Sequence, residues 1–120
     1  MATTAFFVLL IAAAIAALAV LALRRATTFT TPVRVVDGDT LAVGDTRVRI
    51  VGMDAPEMDT AAGRAAKAAA VALVAGQPVR LRVTGKDTYG RLLAHATTAN
   101  GQDFATALVR SGHARRRRSY

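Results

Sequence analysis

The chain divides into an apolar segment and a patterned one. Residues 5–23 contain no charged residue, no proline and no glycine, whereas every acidic and basic residue follows them. A helix of this length spans about 28 Å, and the apolar core of a bilayer is roughly 30 Å thick. We therefore predict one N-terminal transmembrane or signal-anchor helix within residues 1–25, with the membrane as a partner through residues 5–23.

Cleavage of this segment as a signal peptide, followed by secretion, is the alternative. No basic residue precedes the apolar run, and Arg24 and Arg25 end it, which favours an uncleaved anchor. The side of the membrane stays open. The arginine pair favours a cytoplasmic location for the rest of the chain, whereas the function argued below suits export.

After a Thr-rich spacer at 26–31, Pro32 begins a domain predicted over residues 32–114. β-Branched or alternating runs predict strands at 33–36, 41–43, 46–52, 79–83 and 91–97. Apolar spacing and cap residues predict helices at 60–75 and 104–111. This order predicts an α+β fold with a five-stranded Greek-key β-barrel of the OB type and two helices. In the third strand, we expect Val48 and Ile50 to face inward and Arg49 outward.

Composition narrows the possible chemistry. The chain has no cysteine and only two histidines, which excludes disulfide scaffolds, thiol nucleophiles and cysteine-based zinc sites. Lys and Arg number 16 against 8 acidic residues, for a net charge of +8, and this excess suits a polyanionic partner. The last residues, 115–120, form a basic tail that is most simply a solvated end. No protein partner is indicated, and we expect a monomer.

Three short stretches combine acidic residues with arginines at predicted strand ends. They read DGDT at 37–40, RIVGMDAPE at 49–57 and DTYGR at 87–91. Each alone is also typical of a polar turn. Together, carboxylates without cysteine or histidine suit Ca²⁺ or Mg²⁺, and arginines beside such an ion suit a phosphate. The set predicts a site that cleaves phosphodiesters.

These stretches resemble the thermonuclease, or staphylococcal nuclease-like, family. The matching runs are VDGDT at 36–40, VR at 48–49 leading to DAPE at 54–57, DTYGR at 87–91, and ALVR at 107–110 with Gly112. They follow the family's order with similar gaps, over residues 32 to about 114. The resemblance implies an OB-type barrel and a Ca²⁺-dependent nuclease that acts on DNA, RNA or both.

Residue roles follow from the same resemblance. Asp39 and Asp54, with the carbonyl oxygen of Ala55, would hold Ca²⁺, and Glu57 would be the general base. Arg49 and Arg91 would bind the phosphate and stabilise the phosphorane-like transition state. The resemblance also implies that Tyr89 and Asp87 belong to the nucleic-acid-binding residues. Tyr89 would contact a nucleotide phosphate.

The chain departs from the family pattern at several points. Thr88 stands where the family usually has Lys or Arg, the segment after Glu57 is short, and the sequence ends about where the family's C-terminal helix would start. An alternative function is a catalytically inactive OB-fold module that binds nucleic acid and is tethered to a membrane. Such modules stack bases on aromatic side chains, and aromatic residues make up only 5% of this chain, which favours the nuclease.

Overall fold

The computed structural model describes residues 2–24 and 27–118. Within these residues there are three helices: α1 (Ala2–Arg24), α2 (Ala61–Val74) and α3 (Phe104–Arg110). The strands in the same residues are β1 (Thr27–Thr31), β2 (Arg34–Asp37), β3 (Thr40–Val43), β4 (Thr46–Ile50), β5 (Met53–Asp54), β6 (Val79–Lys86), β7 (Leu92–Thr97) and β8 (Arg115–Arg116). The fold is therefore α+β, as predicted.

Six of the strands form one sheet in the order β1-β6-β7-β4-β3-β2, and β5 pairs with β8 separately. All neighbours are antiparallel except β4 and β7, which run parallel. The predicted closed five-stranded barrel is wrong for the described residues. Strand β6 has β7 on one side and β1 on the other, so it does not pair with β2, and the sheet stays open.

The segment predicted to be a spacer, residues 26–31, supplies the strand that pairs with the edge of β6 opposite β7. Ala26 lies outside the described residues, but Thr27–Thr31 pairs along its whole length with Val79 to Val83 of β6. Threonine is β-branched and suits an extended edge strand. The prediction of a spacer did not take this preference into account. The segment predicted to be a solvated basic tail, residues 115–120, also contains a strand, because it begins with β8. Residues 119 and 120 lie outside the described residues.

The apolar core lies between the sheet and helices α2 and α3. Its largest fully buried side chains are Phe104, Leu41, Ile50, Met53, Leu81, Leu108, Val48 and Val79. In β6, Val79 and Leu81 are buried while Arg80 and Arg82 are exposed, which confirms the predicted alternation. The structure thus uses the apolar positions of the predicted strands as its core.

Helix α1 contains the run predicted to cross a membrane. Its described side chains, at residues 4, 5 and 7–16, are exposed. Among the described residues, none of the helices combines the length with the apolar character that a membrane crossing requires. Met1 and Arg25 lie outside the described residues, and the location of the protein stays a prediction.

Helix α2 matches its predicted bounds closely. The Thr60 hydroxyl accepts a hydrogen bond from the Gly63 N–H at 3.0 Å, which caps the N-terminus. At the other end, Ala75 adopts a left-handed conformation with φ of 53°, and its N–H donates to the Val71 carbonyl at 2.9 Å. A side chain with a Cβ is strained in that conformation.

We expect the same substitution to have opposite effects at the two alanines 75 and 68. Ala75→Gly relieves the left-handed strain and should raise the free energy of unfolding by about 0.5–1 kcal/mol. Ala68→Gly, at an exposed position inside α2, should lower it by about 1 kcal/mol. Urea unfolding followed by circular dichroism measures both, and a loss of stability at both positions would contradict the assigned C-cap.

Candidate functional site

The residues predicted to act in catalysis and metal binding lie around one cavity of about 550 Å³. We call it the main cavity, and it is lined by Asp37, Asp39, Arg49, Asp54, Ala55, Pro56, Glu57, Met58, Arg91, Arg115 and Arg117. A side chamber of about 370 Å³ adjoins it, lined by Arg49, Lys86, Asp87, Thr88, Tyr89, Arg91, Leu93 and Arg117. The fold therefore brings the predicted residues together, while their roles stay predictions.

Arg49 lies at the centre of the main cavity, and its side chain is only 6% exposed. The Nη1 atom donates to the carbonyl oxygens of Ile50 at 2.8 Å and Met53 at 3.0 Å. The Nη2 atom forms ion pairs with Asp54 and, at 3.3 Å, with Asp39. The prediction that Arg49 faces solvent on the outer side of β4 is wrong, because the loop after the strand folds back and surrounds the guanidinium.

Asp39 connects the turn between β2 and β3 to the loop that carries Asp54 and Ala55. Its Oδ2 atom accepts the Ala55 N–H at 2.9 Å, and its own N–H donates to Asp37 Oδ1 at 3.1 Å. Removal from water and a hydrogen bond with Asp37 raise the pKa of Asp39, whereas the Ala55 N–H and the Arg49 charge act against the rise. Asp37 thus fits its expected place as a turn residue that supports Asp39.

Gly38 lets this turn approach the rest of the site. A Cβ at Gly38 would lie 2.7 Å from the Cβ of Ala55 and 2.9 Å from the Cβ of Ala66 in α2. Such distances are far inside van der Waals contact, so a larger residue would push the Asp39 turn away. The glycine of the DGDT stretch is therefore required by packing.

The two carboxylates suit a hard cation, although they do not complete a site by themselves. Both contact the same atom, Arg49 Nη2, so they converge on one point of the main cavity. Among the described residues there is no group of three or more acidic or histidine side chains that could hold a metal. Further oxygen ligands would have to come from the backbone, water or a phosphate, which are all ordinary ligands of Ca²⁺.

Glu57 is exposed at the rim of the main cavity, and its backbone is held firmly. Its carbonyl oxygen accepts the Thr60 N–H at 3.1 Å and the Thr60 hydroxyl at 2.6 Å. In the first turn of α2, a Cβ at Gly63 would lie 1.8 Å from that same oxygen. From propensity alone, a glycine at this position only weakens the helix. A glycine inside an alanine-rich helix was nevertheless a signal that something packs closely there.

Arg91 is positioned by Asp87 rather than by its strand alone. Asp87 Oδ2 accepts Arg91 Nε at 2.7 Å, and Oδ1 accepts the N–H groups of Tyr89 and Arg91, both at 2.9 Å. Desolvation opposes ionisation, but the Arg91 side chain and these N–H groups together lower the pKa of Asp87. Its carboxylate is therefore engaged inside its own loop, which favours a positioning role over direct contact with nucleic acid.

Among the exposed large hydrophobic side chains of the described residues, Tyr89 is the most exposed, with 83% of its surface accessible. The Arg91 guanidinium carbon lies 5.8 Å from the centre of its ring, within the range of a cation–π interaction. Tyr89 also lines the side chamber together with Thr88. A ligand that extends from the main cavity into this chamber would meet the ring.

Sequence reasoning missed the contribution of the basic C-terminal segment. Strand β8 pairs with β5, and the Arg117 N–H donates to the Gly52 carbonyl at 3.0 Å. Arg117 Nη1 lies 3.2 Å from Asp54 Oδ1. The sequence signals an excess of charge in this run, but no local pattern relates it to residues more than sixty positions earlier.

We expect Gly63→Ala to destabilise the protein even though alanine is the better helix former. The new Cβ would meet the Glu57 carbonyl, and relief of that overlap should lower the free energy of unfolding by about 1–3 kcal/mol. Gly85→Ala is the control, because its Cβ would lie 3.8 Å from Leu93, an ordinary contact. If Gly63→Ala matched or exceeded the wild type in urea unfolding, the close approach would be wrong.

Comparisons with known proteins bear on the family of this chain. Residues 47–120 match the family model described as staphylococcal nuclease homologue, a range that contains Arg49, Glu57 and Arg91 but begins after Asp39. An "Uncharacterized endonuclease" of Escherichia coli is 38% identical over 86 residues, which cover 68% of this chain and 56% of that protein.

Two further relatives carry different names. The "Succinoglycan biosynthesis protein ExoI" of Rhizobium meliloti is 34% identical over 91 residues, covering 67% of this chain and 48% of that protein. "Endonuclease YhcR" of Bacillus subtilis is 35% identical over 100 residues, covering 68% of this chain and 8% of that protein. The chain thus spans about half the length of the first relatives. Because the family model matches more than half of it, the chain belongs to the staphylococcal nuclease homologue family.

Proposed function

We propose that the protein is a calcium-dependent nuclease that hydrolyses phosphodiester bonds of DNA, RNA or both. The observation that carries this proposal is the main cavity, where Arg49, Glu57 and Arg91 meet the carboxylates of Asp39 and Asp54. Family membership and two relatives named endonucleases support nuclease activity. The reaction that fits these groups is attack of water on phosphorus with loss of an alkoxide.

The two arginines bind the phosphate that is cleaved. Arg49 is buried and fixed by two carbonyl oxygens and two carboxylates, so its position in the cavity is set before a substrate binds. Arg91 is one-third exposed and held by Asp87. Donors fixed in advance stabilise the negative charge that develops on the equatorial oxygens of the transition state better than mobile ones do.

Glu57 takes a proton from the attacking water. As the new bond from water oxygen to phosphorus forms, the bond from phosphorus to the leaving oxygen breaks, and that oxygen takes a proton from solvent. Glu57 suits the role of base because it is exposed at the rim, where water enters, while Thr60 and Gly63 fix its backbone. By the family resemblance, the products carry a 3′-phosphate.

Asp39, Asp54 and the carbonyl oxygen of Ala55 would hold Ca²⁺ next to the phosphate. The ion would supply further positive charge that polarises a phosphoryl oxygen. The raised pKa of Asp39 reflects the protein without an ion, and a cation between the carboxylates would favour their ionised forms.

Glu57→Gln should lower kcat by about 10²–10⁴-fold while the affinity for DNA stays within about twofold. The reason is that the amide keeps the shape of the side chain but cannot act as a base. The measurement is cleavage of a labelled single-stranded oligonucleotide by the full chain with Ca²⁺, repeated with chelator. Asp59→Asn, at an exposed position two residues away, is the matched control and should cut normally.

The outcomes of that assay separate the two functions. Normal cutting by Glu57→Gln would show that the base is another group. Binding of the oligonucleotide by the wild type without any cutting would favour the inactive nucleic-acid-binding module. Cutting that survives the chelator would contradict the calcium dependence.

Asp87→Asn should lower kcat/KM by about 10–100-fold, because Arg91 loses the partner that orients it. Asp45→Asn, an exposed acid in the turn between β3 and β4, should have little effect. A second readout is the pH dependence of unfolding. Since folding lowers the pKa of Asp87, its stabilising contribution is present above its unfolded pKa of about 3.9.

This contribution should disappear as the pH falls through the lower folded pKa. The difference in unfolding midpoint between wild type and Asp87→Asn should therefore be constant from about pH 5 to 8 and shrink below about pH 4. A difference that grew with acidification would contradict the assigned hydrogen bonds.

A further inference from the structure

The sheet carries a second group of arginines, on the face turned away from the core. In β6, Arg80 and Arg82 point to the side opposite the buried Val79 and Leu81, and both arginines are exposed. Residues two apart on a strand lie about 6.6 Å from each other on one face. The two arginines are therefore direct neighbours, and their charges repel each other.

The adjacent strands leave these two arginines uncovered. Their cross-strand neighbours are small or polar residues, namely Thr28 and Thr30 of β1 and His95 and Thr97 of β7. Within the described residues, neither Arg80 nor Arg82 forms an ion pair. We call these six residues the outer basic face. Guanidinium and hydroxyl groups are donors that proteins use to bind phosphate oxygens.

The electrostatics of His95 show that the charge of Arg82 acts at this face. Removal from water and the Arg82 charge lower the pKa of His95, whereas Asp103 acts against them. Asp103 lies beyond the end of β7, where it forms a bridge with Thr97, and its carboxylate accepts the Thr106 N–H at 2.9 Å. With two arginines against this one acid, the face keeps an excess of positive charge.

The outer basic face continues from the side chamber of the candidate site. Leu93 of β7 lines that chamber, and His95 and Thr97 follow on the same side of the strand, because Ala94 and Ala96 between them are buried. From Leu93 to Thr97 the strand advances about 13 Å. A stacked nucleic-acid strand rises about 3.4 Å per nucleotide, so the face extends the site by about four nucleotides.

We propose that the outer basic face binds the phosphate backbone of a single-stranded nucleic acid, several nucleotides away from the bond that is cleaved. The inference rests on the proposed function, which supplies the strand, but it concerns a surface outside the main cavity. None of the six residues is Phe, Tyr or Trp, the side chains on which bases usually stack. Binding at this face is therefore independent of base sequence and favours long strands over short ones.

The first experiment compares two substrates of different length. In the full chain, Arg80→Gln/Arg82→Gln should lower kcat/KM for a single strand of about 12 nucleotides by about three- to tenfold, through KM rather than kcat, because phosphate contacts are lost. A dinucleoside monophosphate is too short to reach the face, so with this substrate the variant and the wild type should agree.

Matched variants separate charge at this face from charge in general. Arg64→Gln/Arg110→Gln removes the same charge from exposed positions on α2 and α3 and should behave like the wild type on both substrates. Arg80→Lys/Arg82→Lys should retain most of the affinity for the long strand. An equal loss on both substrates would show that the candidate site itself is disturbed, and an equal loss in the helix variant would show an effect of net charge. Either result would overturn the proposal.

The second experiment does not require cleavage. In a Glu57→Gln background, fluorescence anisotropy measures binding of the long strand at several salt concentrations. Adding Arg80→Gln/Arg82→Gln should weaken binding and reduce the slope of log affinity against log salt by about one to two. If the wild type showed this binding pattern but cut neither substrate, the nuclease would be refuted and the outer basic face would stand.

NMR of the His95 ring gives a readout at the face itself. Phosphates bound beside the imidazole favour its charged form, so the long strand should raise the pKa of His95, whereas the dinucleoside monophosphate should leave it unchanged. A pKa of His95 that stays the same when the long strand is bound would refute the outer basic face, whatever the cleavage assays show.

Discussion

The site depends on the pairing of one buried cation. A guanidinium at the position of Arg49 is removed from water, and its burial is tolerated only because carbonyl oxygens and carboxylates surround it. Those partners come from the turn before β3 and from the loop after β4. Pairing of Arg49 therefore brings Asp39 and Asp54 to the same point, and the distance between the two acids is set by the cation between them.

The second arginine of the site, Arg91, is held in place in a different way. Arg91 is partly exposed and belongs to a short loop whose hydrogen bonds all converge on Asp87. A buried arginine fixed by the core and a surface arginine fixed by its own loop thus face one cavity from different elements. The first is fixed by contacts from several segments, and the second by contacts within its own loop.

Much of this arrangement could be predicted from local pattern. The alternation in β6, the caps of α2 and the proximity of acids to arginines at strand ends are properties of short windows, and the structure agrees with each of them. The burial of Arg49 was not predictable from alternation, because the loop that covers it belongs to no periodic element. The expected closure of the barrel was wrong because the threonine run of β1 pairs with the edge of β6. Pairing between strands that are remote in sequence cannot be inferred from a short stretch of sequence. The roles of Gly63 and Arg117 were hidden for the same reason: each is defined by a contact with a distant segment.

The parallel pairing of β4 with β7 has a consequence for the timing of activity. Arg49 lies opposite Leu93 in that pairing, and Arg91 immediately precedes β7, so the two arginines line one cavity only after segments some forty positions apart have joined. Contacts of such sequence separation form late and slowly, and a slip of one position would turn Arg49 to the opposite face of the sheet. A nascent or partly denatured polypeptide therefore does not bring Arg49 and Arg91 together, and the candidate site is assembled only in the folded chain.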